Sequence, residues 1–97
     1  MELLNAIAKV RFSSARPQRV QLFKCPEYVC ELLCLEPTQQ LAASGACAYY
    51  LIAGSGQVNI GKETHPATLG SFVTCEAGES HTVVNSSEQR LICLVIS

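Results

Sequence analysis

Short runs of apolar and β-branched residues, separated by turn residues every several positions, dominate the chain. Runs of this length are typical of β-strands, and the Gly, Pro, Asn and Ser residues between them mark turns. The pattern predicts about eight strands: Arg19–Phe23, Tyr28–Leu35, Ala46–Ala53, Gln57–Ile60, Thr64–Leu69, Ser71–Cys75, His81–Asn85 and Leu91–Ile96. No run has the length of an ordinary helix, so the sequence predicts an all-β fold that is closed or nearly closed.

The strand predicted at Tyr28–Leu35 is apolar on both of its faces. Leu33 and Leu35 share one face with Glu31, and the alternate positions are Cys30, Leu32 and Cys34. A strand of this kind is covered on two sides. We expect the domain interior to cover one side and a second copy of the chain to cover the other, which predicts a homodimer.

Residues 70–85 are the most informative stretch, because they read as a strand, a tight turn and a second strand that is entered through a histidine. Four residues are spaced as in the second sequence motif of the cupins, G-x(5)-P-x-G-x(2)-H-x(3)-N: Gly70, Gly78, His81 and Asn85. Glu76 stands where the motif has proline. The run Tyr49–Val58 is similar to the end of the first cupin motif.

The chain therefore resembles the small single-domain cupins of the RmlC-like superfamily, and the resemblance covers about residues 28–96. It implies a jelly-roll barrel, also called a double-stranded β-helix, formed by one domain over residues 1–97. Residues 1–27 would supply an N-terminal arm and the first strand, and residues 28–96 the cupin core. In that fold the face of the strand that carries His81 looks into the barrel.

The first cupin motif supplies two histidines and a carboxylate that join the histidine of the second motif around a divalent metal. Counting back from Gly54 places Cys47 at the carboxylate position, and no histidine or acid lies between Thr38 and Gly61. One imidazole alone binds such a metal weakly, since several converging donors are needed. The sequence thus predicts no resident metal and no cofactor. The alternative is a site in which Cys47 and Cys75 join His81.

Composition limits the partners. The net charge is −1, but the first 24 residues carry +4 and the remainder −5. A basic segment of this kind can contact phosphate, yet it has no interleaved aromatic residues, so nucleic acid is not the expected partner. No apolar run is long enough to span a membrane, and residues 1–5 lack the features of a secretion signal, so we expect a cytoplasmic protein. The six cysteines then read as reduced, buried thiols.

Three residues are the predicted ligand-binding set: His81, Cys47 and Tyr49, the last because it shares strand parity with Cys47. We expect a metal-free module that binds a small apolar or weakly polar molecule or acts as a scaffold, and no catalytic residue is assigned. The alternative is a metal-dependent cupin enzyme, an isomerase or oxygenase, that uses His81 with non-standard ligands. The second histidine, His65, precedes Pro66 in a polar hairpin and is expected to be exposed.

The segment Met1–Val10 permits two interpretations. Leu3, Ile7 and Val10 recur at helical spacing, which fits one or two helical turns, and an extended arm fits the same residues. Both possibilities remain open at the level of the sequence.

Overall fold

The computed structural model describes all 97 residues and contains one short 3-10 turn and nine strands. The 3-10 turn covers Ala6–Lys9. The strands are β1 Gln18–Lys24, β2 Val29–Leu35, β3 Gln40–Ser44, β4 Cys47–Ala53, β5 Gly56–Ile60, β6 Glu63–Ala67, β7 Phe72–Cys75, β8 Ser80–Val84 and β9 Leu91–Ile96. The 3-10 turn is the only helical element, and no helix here has the length and apolar content that crossing a membrane requires.

Two antiparallel sheets form the molecule. One has five strands in the order β1-β2-β9-β4-β7, and the other has four in the order β3-β8-β5-β6. Strands distant in sequence are neighbours in both sheets, as in a jelly roll. The all-β jelly-roll prediction is therefore confirmed.

The main core lies between the sheets, and strand periodicity explains its composition. Alternate residues of each strand point inward, so β2 contributes Leu33 and Leu35, β4 contributes Tyr49 and Leu51, and β8 contributes Val83. The register carries this inward face across the sheets: Leu33 lies opposite Cys93, which lies opposite Leu51. Eleven buried residues belong to this cluster.

A second, smaller core covers the outer face of the five-stranded sheet. Leu32, Cys34 and Ile92 form its buried centre. Ala6, Val10 and Phe12 of the N-terminal segment pack against them. Over this part of the sheet, the cover that the sequence analysis assigned to a second subunit is supplied by the chain's own N-terminal segment.

The N-terminal segment itself combines both of the conformations that the sequence left open. Asn5 caps the 3-10 turn by accepting a hydrogen bond from the Ile7 backbone N–H at 3.0 Å, and Val10 returns to an extended conformation. Ile7 and Leu3 are exposed, so the three residues at helical spacing do not form a common buried face.

Strand β3 is the one strand that the sequence analysis did not predict. Its residues, Gln40-Leu41-Ala42-Ala43-Ser44, are poor in β-branched side chains and read as a loop. Pairing with β8 overrides this weak local preference, and the register puts Ala43 opposite His81.

Candidate functional site

His81 is an interior residue, as the strand alternation predicts. It lies on β8 between β3 and β5, opposite Ala43 and Ile60. His81 is 3% exposed, and along the strand it alternates with more exposed positions: Ser80 is exposed, Thr82 is half-buried and Val83 is buried again. A buried imidazole needs hydrogen-bonding partners, because burial of an unpaired polar group is costly.

Tyr49 is the closest partner of the ring. Its hydroxyl oxygen lies 2.6 Å from His81 Nε2, and the two rings meet edge to face with centroids 5.3 Å apart. On the other side, His81 Nδ1 lies 3.4 Å from the carbonyl oxygen of Glu79. A carbonyl only accepts hydrogen bonds, so this contact favours a proton on Nδ1 and leaves the Nε2 lone pair free to accept from the Tyr49 hydroxyl.

Two cysteines complete the cluster. Cys47 on β4 lies directly opposite Cys75 on β7 in the antiparallel register. Cys47 Sγ is 3.5 Å from His81 Nε2, and the donor atoms of Cys47, Cys75 and His81 all lie within 4.8 Å of one another. Cys75 is buried and Cys47 is partly exposed, so the cluster sits just inside one end of the barrel. The structure thus brings together His81, Cys47 and Tyr49, and Cys75, which the sequence analysis named only for the alternative metal site, lies beside them.

Burial is the main influence on the pKa values of Cys75 and Tyr49. It raises the pKa of the Cys75 thiol to about 11, with a further contribution from neighbouring Cys47. Burial also raises the pKa of Tyr49 well above its usual range, and the contact of Tyr49 with Cys47 raises this pKa further. The positive charge of Arg19 acts in the opposite direction on the pKa of Tyr49 but does not outweigh burial. The Cys75 thiol and the Tyr49 hydroxyl are therefore protonated near neutral pH.

An ion pair close to Tyr49 was missed by the sequence analysis. Arg19 of β1 donates to Glu31 of β2 at 2.7 Å, and Glu31 shares a face of the sheet with Val95 and Tyr49 through the register. Glu31 was recognised as the one charged residue on an apolar strand face. The sequence signal that could have identified its partner was Arg19, a basic residue on the strand that precedes and pairs with β2.

The interior beside the cluster is nearly full. Its cavity measures about 10 Å³, the size that just admits one water molecule. Apolar side chains such as Leu51, Val58 and Leu91 line it, together with Tyr49. Cys47 and His81 are not part of this lining, so the predicted pocket around all three residues is a contact cluster and not an open cavity.

The other polar residues of the 70–85 stretch have structural roles. Asn85 is fully buried and donates to the carbonyl oxygens of Leu35 and Gln89 at 3.1 and 2.7 Å. The Glu79 carboxylate accepts from the Glu76 backbone N–H at 2.7 Å, which holds the turn.

His65 is exposed, as expected, and contacts the Glu63 carboxylate at 3.0 Å. This pair lies on β6, which is an edge strand of the four-stranded sheet, and both side chains are exposed there. His65 therefore does not join His81, and only one of the two histidines belongs to the cluster.

Together, the two sheets, the Gly70–Asn85 stretch and the inward-facing histidine define a small jelly-roll protein of the cupin type. The chain matches the family model described as "Cupin domain" over residues 43–97, which is more than half of its length and includes all four residues of the cluster. The chain belongs to the cupin family.

Solved structures agree on the fold. TT1209 from Thermus thermophilus matches with a TM-score of 0.93 at 23% identity, over 99% of this chain and 95% of that chain. An uncharacterized conserved protein with a double-stranded β-helix domain from Klebsiella pneumoniae matches with a TM-score of 0.89 at 19% identity, over 99% of this chain and 88% of that chain.

A protein described as a predicted oxalate decarboxylase from Thermotoga maritima matches with a TM-score of 0.79 at 15% identity, over 98% of this chain and 96% of that chain. At these identities the likeness establishes the fold alone. A comparison with curated proteins gives no match.

Proposed function

We propose that this cupin is a homodimeric binding module without a reaction of its own, and that its ligand contacts His81, Cys47 and Tyr49. The observation that carries the proposal is the convergence of these side chains at one buried point of an otherwise apolar interior. Such a concentration of polar groups inside a small core is costly unless the groups pair with one another or with a ligand.

The size of the interior limits the ligand. The enclosed cavity next to Tyr49 measures about 10 Å³, so it holds no more than one water molecule and cannot enclose a larger ligand. The ligand must therefore be small and must approach from the barrel end at which Cys47 is partly exposed.

The outer face of the five-stranded sheet supports self-association. Beyond the part that the N-terminal segment covers, Tyr50 lies opposite Phe72, and Phe72 is 64% exposed. Ile96 and Phe23 are further exposed apolar residues on this face. We define this set of four residues as the outer patch. A second copy of the chain would remove it from water, and the opposite charges of the first 24 residues and the remainder would assist the pairing.

Ligand binding is tested by thermal shift and native mass spectrometry of the purified protein against a panel of small metabolites. We expect at least one compound to raise the melting temperature of the wild type and of His65→Ala, and not of His81→Ala. His65 is a matched control because it is the other histidine and is exposed. A panel without any stabilising compound would reduce the role to a scaffold, and a shift that survives in His81→Ala would place the ligand elsewhere.

The second candidate is a metal-dependent enzyme. It is favoured by the additional donor, Cys75, that the structure brings next to Cys47 and His81. The nearly full interior argues against turnover of an organic substrate at that point.

A further inference from the structure

The metal centre that the family resemblance implies does not fit this chain. It needs three imidazoles and a carboxylate, whereas His81 is the only histidine of the cluster and the Glu79 carboxylate is bound within its own turn. Iron and manganese favour nitrogen and oxygen donors, so the residues present do not suit them. The donors that do converge here are two sulfurs and one nitrogen.

We infer that Cys47, Cys75 and His81 form a site for one thiophilic metal ion, Zn²⁺ or Cu⁺. This inference rests on the proposed function, because it names the chemical class of the ligand for the same cluster. Thiolate sulfur selects these ions over harder ones, and imidazole suits both. A single ion also needs no larger cavity than the structure has.

The distances between the donor atoms match such an ion. Around a tetrahedral zinc with sulfur at 2.3 Å and nitrogen at 2.0–2.1 Å, neighbouring donors are about 3.5 to 3.8 Å apart. Cys47 Sγ and His81 Nε2 are 3.5 Å apart, and no pair among the three donors exceeds 4.8 Å. Small side-chain rotations therefore suffice to bring all three atoms to bonding distance.

The three donors are held by strands and not by loops. Cys47 and Cys75 are directly opposed on β4 and β7, so the register fixes their side chains on the same face. His81 approaches from β8 of the other sheet. Ligands on regular elements are positioned more accurately than ligands on loops.

The contact between His81 Nδ1 and the Glu79 carbonyl is a second, independent indication. Metal-binding histidines commonly donate their other ring N–H to a carbonyl or carboxylate, which orients the ring and leaves the ligating nitrogen unprotonated. The contact of 3.4 Å has this arrangement and directs Nε2 towards the two sulfurs. The Tyr49 hydroxyl, 2.6 Å from Nε2, occupies the lone pair that the ion would use and must move when the ion binds.

The test uses the full chain, reduced and stripped with a chelator. Co²⁺ serves as a spectroscopic probe for zinc, since thiolate coordination produces a charge-transfer absorption, and Zn²⁺ then displaces it. Cu⁺ is titrated separately against a chromogenic chelator. We expect one ion per chain, and we expect Cys47→Ser, Cys75→Ser and His81→Gln each to weaken binding by more than about tenfold, the loss that even outer-shell changes can produce.

Cys30→Ser is the matched control, because Cys30 lies opposite Ile96 in the row of the outer patch and faces away from the cluster. Circular dichroism of the metal-free variants establishes that each is folded, and Cys75→Ala replaces Cys75→Ser if the serine variant does not fold. Absence of stoichiometric binding by folded wild type would overturn the inference, as would equal losses in Cys30→Ser and Cys75→Ser.

The two levels of the proposal fail differently. If no ion binds but an organic ligand still stabilises wild type and not His81→Ala, the binding module stands and the metal site is wrong. If neither an ion nor an organic ligand binds, both are wrong.

Discussion

Two polar residues are buried, and for different reasons: His81 on β8, and Asn85 directly after it. His81 belongs to the cluster with Tyr49 and the two cysteines. Asn85 instead joins three parts of the backbone: it donates to Leu35 and Gln89, and its side-chain oxygen accepts from the backbone and hydroxyl groups of Ser87. Its contribution is therefore to the turn before β9 and not to binding.

Replacement of Asn85 by alanine is expected to lower the free energy of unfolding by about 2 to 4 kcal/mol, because several buried backbone groups lose their partners. Asn59→Ala is the matched control. The Asn59 side-chain oxygen is buried without a hydrogen-bonding partner, so its removal should cost less than about 1 kcal/mol. Urea denaturation of the two variants measures the difference, and equal losses would contradict the assigned role of Asn85.

At this scale the sequence predicted the buried position of His81, since its spacing from Gly70 and Asn85 and its strand parity both indicate an inward-facing side chain. Cys47 and Tyr49 followed from counting along one strand. Cys75 entered only as a possible partner, because a sequence does not show that β4 and β7 are paired in the register that makes Cys47 and Cys75 neighbours.

Among the elements, the N-terminal segment contains little regular structure, but it covers part of the five-stranded sheet. Its residues Val10 and Phe12 cover the outer core, and the Arg90 guanidinium lies 4.5 Å above the Phe12 ring. The side-chain amide of Gln39 donates a hydrogen bond to the carbonyl oxygen of Ser13, the residue after Phe12, at 2.6 Å. The segment is thus packed against the sheet from one side and held by side chains of later loops.

Deletion of residues 1–12 is expected to lower the free energy of unfolding by about 3 kcal/mol or more, because Leu32 and Ile92 lose their cover. Deletion of residues 1–4 should have little effect, since Met1 and Leu3 are exposed. Thermal denaturation, together with binding of a dye specific for exposed apolar surface, compares the two deletions. Similar behaviour of the two proteins would mean that the segment does not protect the sheet.

The elements differ in how far the sequence could predict them. β2, β4 and β9 have strong apolar and β-branched patterns and were predicted close to their observed limits. β3 was not predicted, because its local sequence favours no regular structure and the strand forms through its pairing with β8, which the sequence does not show. The N-terminal cover was not predicted either, since an apolar strand face indicates that something packs on it without indicating what.

For the whole molecule, binding and self-association would occur at separate places. The cluster lies inside the barrel, and the outer patch lies on the opposite face of the five-stranded sheet. The alternation of side chains along β4 produces this separation, because Tyr49 points inward and Tyr50 outward. A change to the patch should therefore leave the cluster intact.

Phe72→Glu is expected to convert the proposed homodimer into a monomer, because it places a charge in the middle of an apolar contact. Thr64→Glu is the control, since Thr64 is an exposed residue of the other sheet. Sedimentation velocity over a range of concentrations measures the change. A wild-type protein that sediments as a monomer at every concentration would refute the dimer.

The direct opposition of Cys47 and Cys75 has one more consequence, which concerns oxidation. Opposed residues on antiparallel strands have Cα atoms about 4.5 to 5.5 Å apart, within the range that a disulfide bridges. Such a bond would form by exchange with an external disulfide, which takes up the two electrons and two protons of the thiols; it would link the edge strand β7 to β4 and would consume both sulfur donors at once. Metal occupancy and disulfide formation would then exclude each other, so the redox state of this single pair would decide whether the barrel can hold an ion.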